Sequence, residues 1–470
     1  MRYTNYCCIT CSARGTVRWL VRQGILLLLP LIVLGSILLY MNGGPGGQNF
    51  PNYTTQPLLH ENKLEVIASL PSPPGNLAIH HDQSDQPTRI FFTYHPEYAY
   101  SEMKLAEYNT ETHTYTAYPN QAFQSVFKSI LSVRIDYTNN VLYCLDFAHY
   151  GMGTMSDPIA GIALTKRIYG IPKLFGFSLT NNSLVHEYEF SSDIAGIGSM
   201  LNDFVISPDG TYIYIADTSL FRGTPSLVIY HIPSRSARRV LDAHPSMFAE
   251  QYTPSVEGSG PVVAFHMFVV RPHVDSIGLS NDGKYLFYAP FSHEYLYRIE
   301  TKYLHDTSMN DQTLDSYIEI YSKKSISDGI ILDQHNNVYL TDIEHSCINM
   351  IDPQTRSLHT LIKSQTLLRW PDGLSFDHNQ SYLYITASAL HLKFRGEKIN
   401  KFAPYHILRV KVDQSIIDDN TNNDNTRQSP SINVINNDNK QQSQVGSAQS
   451  YHSINQPQQD TAYQNIYGEL

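Results

Sequence analysis

Charge and cysteine are both scarce in this sequence, and each shortage closes off a class of protein. Asp, Glu, Lys and Arg make up only 16% of the 470 residues, too little to solvate many long helices, and no stretch carries a long amphipathic helical period. Against that stand 33 tyrosines, a residue type that suits half-buried strands, so the composition points to an all-β chain. The formal net charge of −10 argues against a nucleic-acid partner, because phosphate binding needs a basic surface. Cationic ligands stay open. H-E-x-x-H, G-x-S-x-G, Walker A and G-x-G-x-x-G are all absent, which removes the commonest zinc protease, hydrolase, NTPase and dinucleotide readings.

Five cysteines do not make a disulfide framework. Cys7, Cys8 and Cys11 crowd the N-terminus. Cys8 and Cys11 have C-x-x-C spacing, but no second pair completes a zinc site, so lipidation beside a membrane segment and plain thiols are the readings that remain. Cys144 and Cys347 lie in apolar strand patterns that predict buried free thiols.

Long hydrophobic runs are equally rare. Residues 24–41 (GILLLLPLIVLGSILLYM) form one uncharged stretch long enough for a membrane-spanning helix. Arg14, Arg18 and Arg22 precede it and no Lys or Arg follows until Lys63, so the positive-inside rule puts residues 1–23 in the cytoplasm and the rest outside, a single-pass type II topology. Secretion after signal cleavage is the alternative. Residues 42–62 begin NGGPGGQ and predict a flexible stalk. Glycosylation sequons start at Asn52, Asn181 and Asn379. Residues 414–470, rich in Asn, Gln, Ser and Asp, predict a disordered outer tail.

The body, residues 63–413, repeats a phrase: an apolar pair, a turn rich in Asp, Asn and Gly, then an alternating Tyr-rich strand. Copies are RIDYTNNVLYCLD (134–146), ISPDGTYIYIAD (206–217), LSNDGKYLFYAP (279–290), ILDQHNNVYLTD (331–342) and SFDHNQSYLYITA (375–387), with a degenerate copy at 77–94. The D-G or N-N element supplies the positive φ of a tight hairpin turn. Further strand-like runs, LVIYHI, YLYRI, INMI and ILRVKV, follow the hairpins. Six four-stranded units predict a six-bladed β-propeller. A sandwich, the other all-β solution, does not call for sixfold self-similarity.

In a propeller the residue just before each repeat stands at one mouth of a shared channel. Those residues are Asn76, Asn202 and Asp203, Asp275, Asp328 and Asp372, with Arg134 in the second unit. Converging carboxylates hold protons or a cation; the alternative is that they only tie down loops as Asx turns do. Thr341, Asp342, Glu344 and His345 after the fifth hairpin, and His391 after the sixth, predict one rim. Tyr150, Tyr288, Phe291 and Trp370 are candidate aromatic walls for a cationic ligand, or ordinary core.

Several phrases resemble the yellow and major royal jelly protein family from about residue 70 to 392: PKLFGFSL (172–179), LNDFVISPDG (201–210), RRVLDAHP (238–245), residues 280–299, SDGIILDQHNNVYLTDIEH (327–345), RWPDGL (369–374) and TASALHL (386–392). Asp275-Ser276-Ile277 departs from the usual D-G-I, and the paired cysteines of the insect members are not evident. The resemblance implies a secreted propeller with a solvent-filled channel, relatives linked to dopachrome conversion and salivary relatives that bind biogenic amines. Residues and resemblance together predict a small cationic or aromatic ligand, an amine or catechol-like molecule, held by Asp203, Asp328, Asp342, Glu344 and Asp372. Two other classes stand beside it. One is an enzyme on the same scaffold, either a catechol-quinone isomerase or a calcium-dependent lactone hydrolase with Asn202 and Asp328 as metal ligands. The other is a cell-surface interaction module.

Overall fold

The computed structural model describes Ile32 and residues 47–80, 88–96, 103–148, 170–219, 222–264, 268–398 and 401–412. These belong to the first of two units, Met1–Thr421; Asn422–Leu470 lies outside the described residues. So do Cys7, Cys8, Cys11, the apolar run 24–41 apart from Ile32, and the tail from 414. Among the described residues no helix is long and apolar enough to cross a membrane.

Six antiparallel four-stranded blades surround one axis. Their innermost strands are Pro74–His80, Ile130–Asp136, Leu201–Ile206, Val274–Leu279, Ile330–Leu332 and Pro371–Phe376, each packed on the next and the last on the first. The repeated phrases are the first two strands of each blade, and LVIYHI, YLYRI, INMI and ILRVKV are third strands. Among the described residues, the hairpin turn of every blade but the first places one residue at positive φ: Asn140 (53°), Gly210 (66°), Gly283 (71°), Asn336 (64°) and Gln380 (51°). Asn and Gly adopt that region at little cost.

Hydrophobic cores lie between blades. Phe91, Val133 and Phe175 join the first two; Phe204, Ile215 and Leu174 the second and third; Leu77, Phe92 and Ile407 the sixth and first. Each fully buried aliphatic or aromatic side chain contributes about 1.5–3 kcal/mol, so every blade is held by the neighbours on both sides. Cys144 and Cys347 are free and buried.

The ring is closed by an exchange of strands. Leu64–Leu70 pairs with Tyr405–Lys411, so the sixth blade takes its outermost strand from the beginning of the body and its other three from the end. Residues 47–62, read as the end of a flexible stalk, are instead docked: Leu58 N and Leu59 N donate to Thr360 O and Leu361 O at 2.9 and 2.8 Å on the outer edge of the fifth blade. That edge has unpaired backbone groups to offer, and Phe50 and Leu59 bury their side chains.

Candidate functional site

In five blades the innermost strand slips register near its start, between Pro74 and Leu77, Ile130 and Val133, Leu201 and Phe204, Val274 and Ser276, and Pro371 and Leu374. A bulge leaves residues out of the ladder and re-aims their side chains. The residues freed here include Asn76, Ser132, Asn202 and Asp203, Asp275 and Asp372, while Asp328 precedes the short inner strand of the fifth blade. Threonines at one place in the second strands satisfy the stranded N–H groups. Thr93 accepts from Asn76 N (3.0 Å), Thr341 from Asp328 N and Gly329 N (2.8 and 3.0 Å), and Thr386 from Gly373 N (2.8 Å).

The ring so formed has two unlike halves. Arg134, two residues past Ser132 and so on the same strand face, donates to both oxygens of Asp203 at 2.9 Å and to Asn76 Oδ1. Asp203 also accepts from Ser132 Oγ (2.6 Å) and Phe204 N (2.9 Å). This half is neutral and its side chains are engaged. In the other half Asn202 Nδ2 donates to Asp275 Oδ1, Trp370 Nε1 donates to Asp328 Oδ2 at 2.5 Å, and His95 Nε2 stands 3.4 Å from Asp372 Oδ2. Three buried oxygens there accept no hydrogen bond: Asn202 Oδ1, Asp275 Oδ2 and Asp372 Oδ2. Their residues are only 7%, 3% and 6% exposed.

Burial, followed by the charges of neighbouring carboxylates, disfavours ionisation throughout this half. Asp328 is pushed up to about 7 by burial and then by Asp372. Asp275 and Asp372 go well above the ordinary carboxylate range, again through burial first, then Asp328 for the former and Asp275 for the latter. Asp275 and Asp328 each act on the other's ionisation, so they titrate as a pair. Asp203 is raised by burial, with Arg134 and Ser132 pulling it back.

The second cluster is not part of this ring. Asp342 is fully buried and accepts from Glu344 N, His345 N and Asn349 Nδ2, all at 3.1 Å. Asp146 and Asp217 close the second strands of their blades in the same way, each accepting backbone N–H groups of the adjoining loops. Asp342 is thus one of a series of loop caps, and His345 bonds to it at 3.1 Å. Glu344 Oε1 accepts from Ser255 N at 2.7 Å, which fastens the insertion between the third and fourth blades; burial raises it to about 7. His391 stacks on Trp370 at 6.1 Å and burial lowers it to about 4.

Of the expected aromatic set, Trp370 meets the ring through the edge of its indole, by Nε1 to Asp328, while its faces and the other described members are packed in core. Trp370 is sandwiched by contacts to Phe291 (5.9 Å) and His391 and lies in a core with Phe50, Val256, Val262 and Ile343, and Tyr288 bonds Ser246 of the connection between the third and fourth blades. Tyr150 lies outside the described residues. Sequence reasoning missed Ser132, His95 and the three threonines, although the recurrent Thr in FFTY, YLTD and YITA was a readable signal. It also missed Lys324, fully buried with Nζ donating to Phe291 O (2.9 Å) and Ser325 O (3.0 Å) and lowered to about 7 by burial. The sequon residues Asn52, Asn181 and Asn379 are exposed.

Calcium takes six to eight oxygen ligands. Among the described residues no three His, Cys, Asp or Glu side chains lie close enough to hold a metal ion. Asn76 and Asp203 are committed to Arg134, Asn202 to Asp275 and Asp328 to Trp370. The ring as it stands does not fit that ion.

A family model described as "Major royal jelly protein" matches residues 159–441. Among curated proteins there is no match. Similar solved structures include a luciferin-regenerating enzyme (14% identity, TM-score 0.46, covering 74% of this chain and 95% of the other). A gluconolactonase from Xanthomonas campestris gives 10%, 0.45, 74% and 89%. The calcium-binding protein regucalcin from Agrobacterium tumefaciens str. C58 gives 12%, 0.43, 77% and 95%. Likeness at this level says nothing about what this chain binds or converts.

Proposed function

The chain belongs to the major royal jelly protein family, and from that premise we propose that its channel mouth binds one small organic cation, a primary ammonium on an aromatic or catechol-like frame. The observation that carries this reading is a set of buried oxygens that accept no hydrogen bond, Asn202 Oδ1, Asp275 Oδ2 and Asp372 Oδ2, the last with the His95 ring 3.4 Å away. Leaving such groups unsatisfied is costly, and an ammonium brings three N–H donors. Its positive charge also takes over the role that protons play in the ring. Binding therefore expels protons, and affinity rises with pH as the Asp275–Asp328 pair and Asp372 ionise.

Calorimetry of the full-length chain with tyramine tests this. The expected result is one site, tighter at pH 8 than at pH 6, and weakened in Asp372→Asn by at least about thirtyfold, the lower end for removing one partner of a buried charge pair. Absence of heat with tyramine and other primary amines would sink the reading. Conversion of a catechol-derived quinone in the same preparation would favour the isomerase instead, and binding of a protein partner that survives Asp372→Asn would favour the interaction module. Anchoring through residues 24–41 with the propeller outside belongs to the same proposal. Glycans on the exposed Asn52, Asn181 and Asn379 would then be removable enzymatically from that preparation, with a loss of mass.

A further inference from the structure

We propose that Trp370 is the positioning residue of the mouth: its indole N–H places the first negative charge of the Asp275–Asp328 pair on Asp328, and so sets the pH at which an ammonium is taken up. The inference rests on the cation-binding reading and adds the residue that decides which carboxyl answers the cation.

The indole is held in one place and aimed. Trp370 directly precedes the inner strand Pro371–Phe376, and its φ of 54° lies in the left-handed region, where a bulky side chain is an outlier. Such strain persists only where the surroundings fix it. Here they do. Trp370 is 1% exposed, stacked on Phe291 and on His391 with ring planes 26° and 16° from parallel, and it shares a core with Phe50, Val256 and Val262. With both faces covered only the edge is left, and from that edge Nε1 donates to Asp328 Oδ2 at 2.5 Å.

An indole N–H donates and never accepts, so it favours the carboxylate of Asp328 over the carboxylic acid. Burial, then the charges of Asp372 and Asp203, raise Asp328, while Asp275 and the indole hold it down, to about 7. Asp275 and Asp372 go well above the ordinary range. The other charged or titratable groups nearby have different partners. Arg134 bonds Asp203 and Asn76, Lys324 bonds Phe291 O and Ser325 O, His95 lies against Asp372, and His391 lies flat on the indole. Trp370 is thus the neutral donor that tilts the pair toward a charge on Asp328.

Calorimetry of the full-length chain with tyramine, repeated between about pH 6 and 9, tests this. Trp370→Phe keeps a stacked ring and loses the N–H, so the rise of affinity with pH should move up by about one unit, the equivalent of one hydrogen bond to a charged group. Affinity should therefore fall about tenfold at pH 6 and recover at pH 9. A purely structural role would lower it alike at every pH, and a rise that stays at its wild-type position overturns the proposal.

Should Trp370→Phe fail to fold, emission decides. The chain has two tryptophans, so in Trp19→Phe the indole of Trp370 is the sole emitter, and ionisation of the carboxyl bonded to it should change its emission through about pH 7. His391, lowered to about 4, does not titrate in that window. The change should vanish in the Trp19→Phe, Asp328→Asn double variant; emission indifferent to pH in the first, or equally responsive in the second, overturns the proposal. A wild type that ignores tyramine sinks the ammonium reading alone, since emission still reports whether Trp370 governs Asp328.

Discussion

Asp328 shows at the scale of one residue how the fold holds a carboxyl against its own acidity. Its folded value of about 7 lies far above the ordinary aspartate value near 3.9, so the native state binds the proton more tightly than the unfolded chain does. The stability this contributes is complete below about pH 4 and is lost as pH rises through about 7. Asp328→Asn removes one such proton. Urea unfolding between pH 4 and 7 should show the decline in stability reduced by up to about 1.4 kcal/mol per pH unit, the limit for one proton; an unchanged slope would mean that Asp328 ionises normally. The ring aspartates were legible in the sequence because each directly precedes a recurring phrase. Asp342 was misread for a related reason. It also adjoins the phrase, but at the end of the second strand, where the carboxylate caps a loop. Ser132 carries no charge and gave no sign of its bond to Asp203.

Among elements, the bulged inner strand with its threonine is the unit that builds the mouth. Thr386 Oγ1 accepts from Gly373 N at 2.8 Å and donates to Gly75 O of the first blade, so one hydroxyl satisfies the bulge and stitches two blades. Thr386→Val keeps the shape and loses both bonds. Thermal unfolding should show a loss of about 1–3 kcal/mol, the cost of leaving a buried backbone donor unpaired, and a loss well below that range would show that the bulge is satisfied some other way. Close packing also explains the glycines after Asp328 and Asp372. A Cβ on Gly373 would stand 2.7 Å from Asn76 Cα, and one on Gly329 would collide with Asp372 O. The fourth blade has Ser276 at this place, fully buried, with its hydroxyl directed to Ser327 O at 3.4 Å. That departure from D-G-I is thus accommodated within the same ring.

For the whole molecule, closure depends on a strand from one end of the body completing the blade built by the other. Leu64–Leu70 supplies the pairing for Tyr405–Lys411 and adds Ala68 and Leu70 to the core between the sixth and first blades. Deleting residues 1–70 should expose the edge of Tyr405–Lys411 and open that core. The expected outcome is aggregation or loss of the cooperative melting transition, read by light scattering and calorimetry. A truncated chain that melts like the wild type would show that three strands suffice for the last blade.

Alternating apolar and tyrosine residues, turn residues with access to positive φ, and six copies of one phrase determined the all-β class and the blade number from the sequence alone, because these are local preferences repeated along the chain. Only the tertiary structure decided which carboxylates face one another, that Arg134 pairs with Asp203, and that residues 47–62 are docked, from the insertion after the third blade to the outer edge of the fifth. Those outcomes depend on distances between blades that are remote in sequence. Burial and pairing there set the charge state of each group, and no local pattern records them.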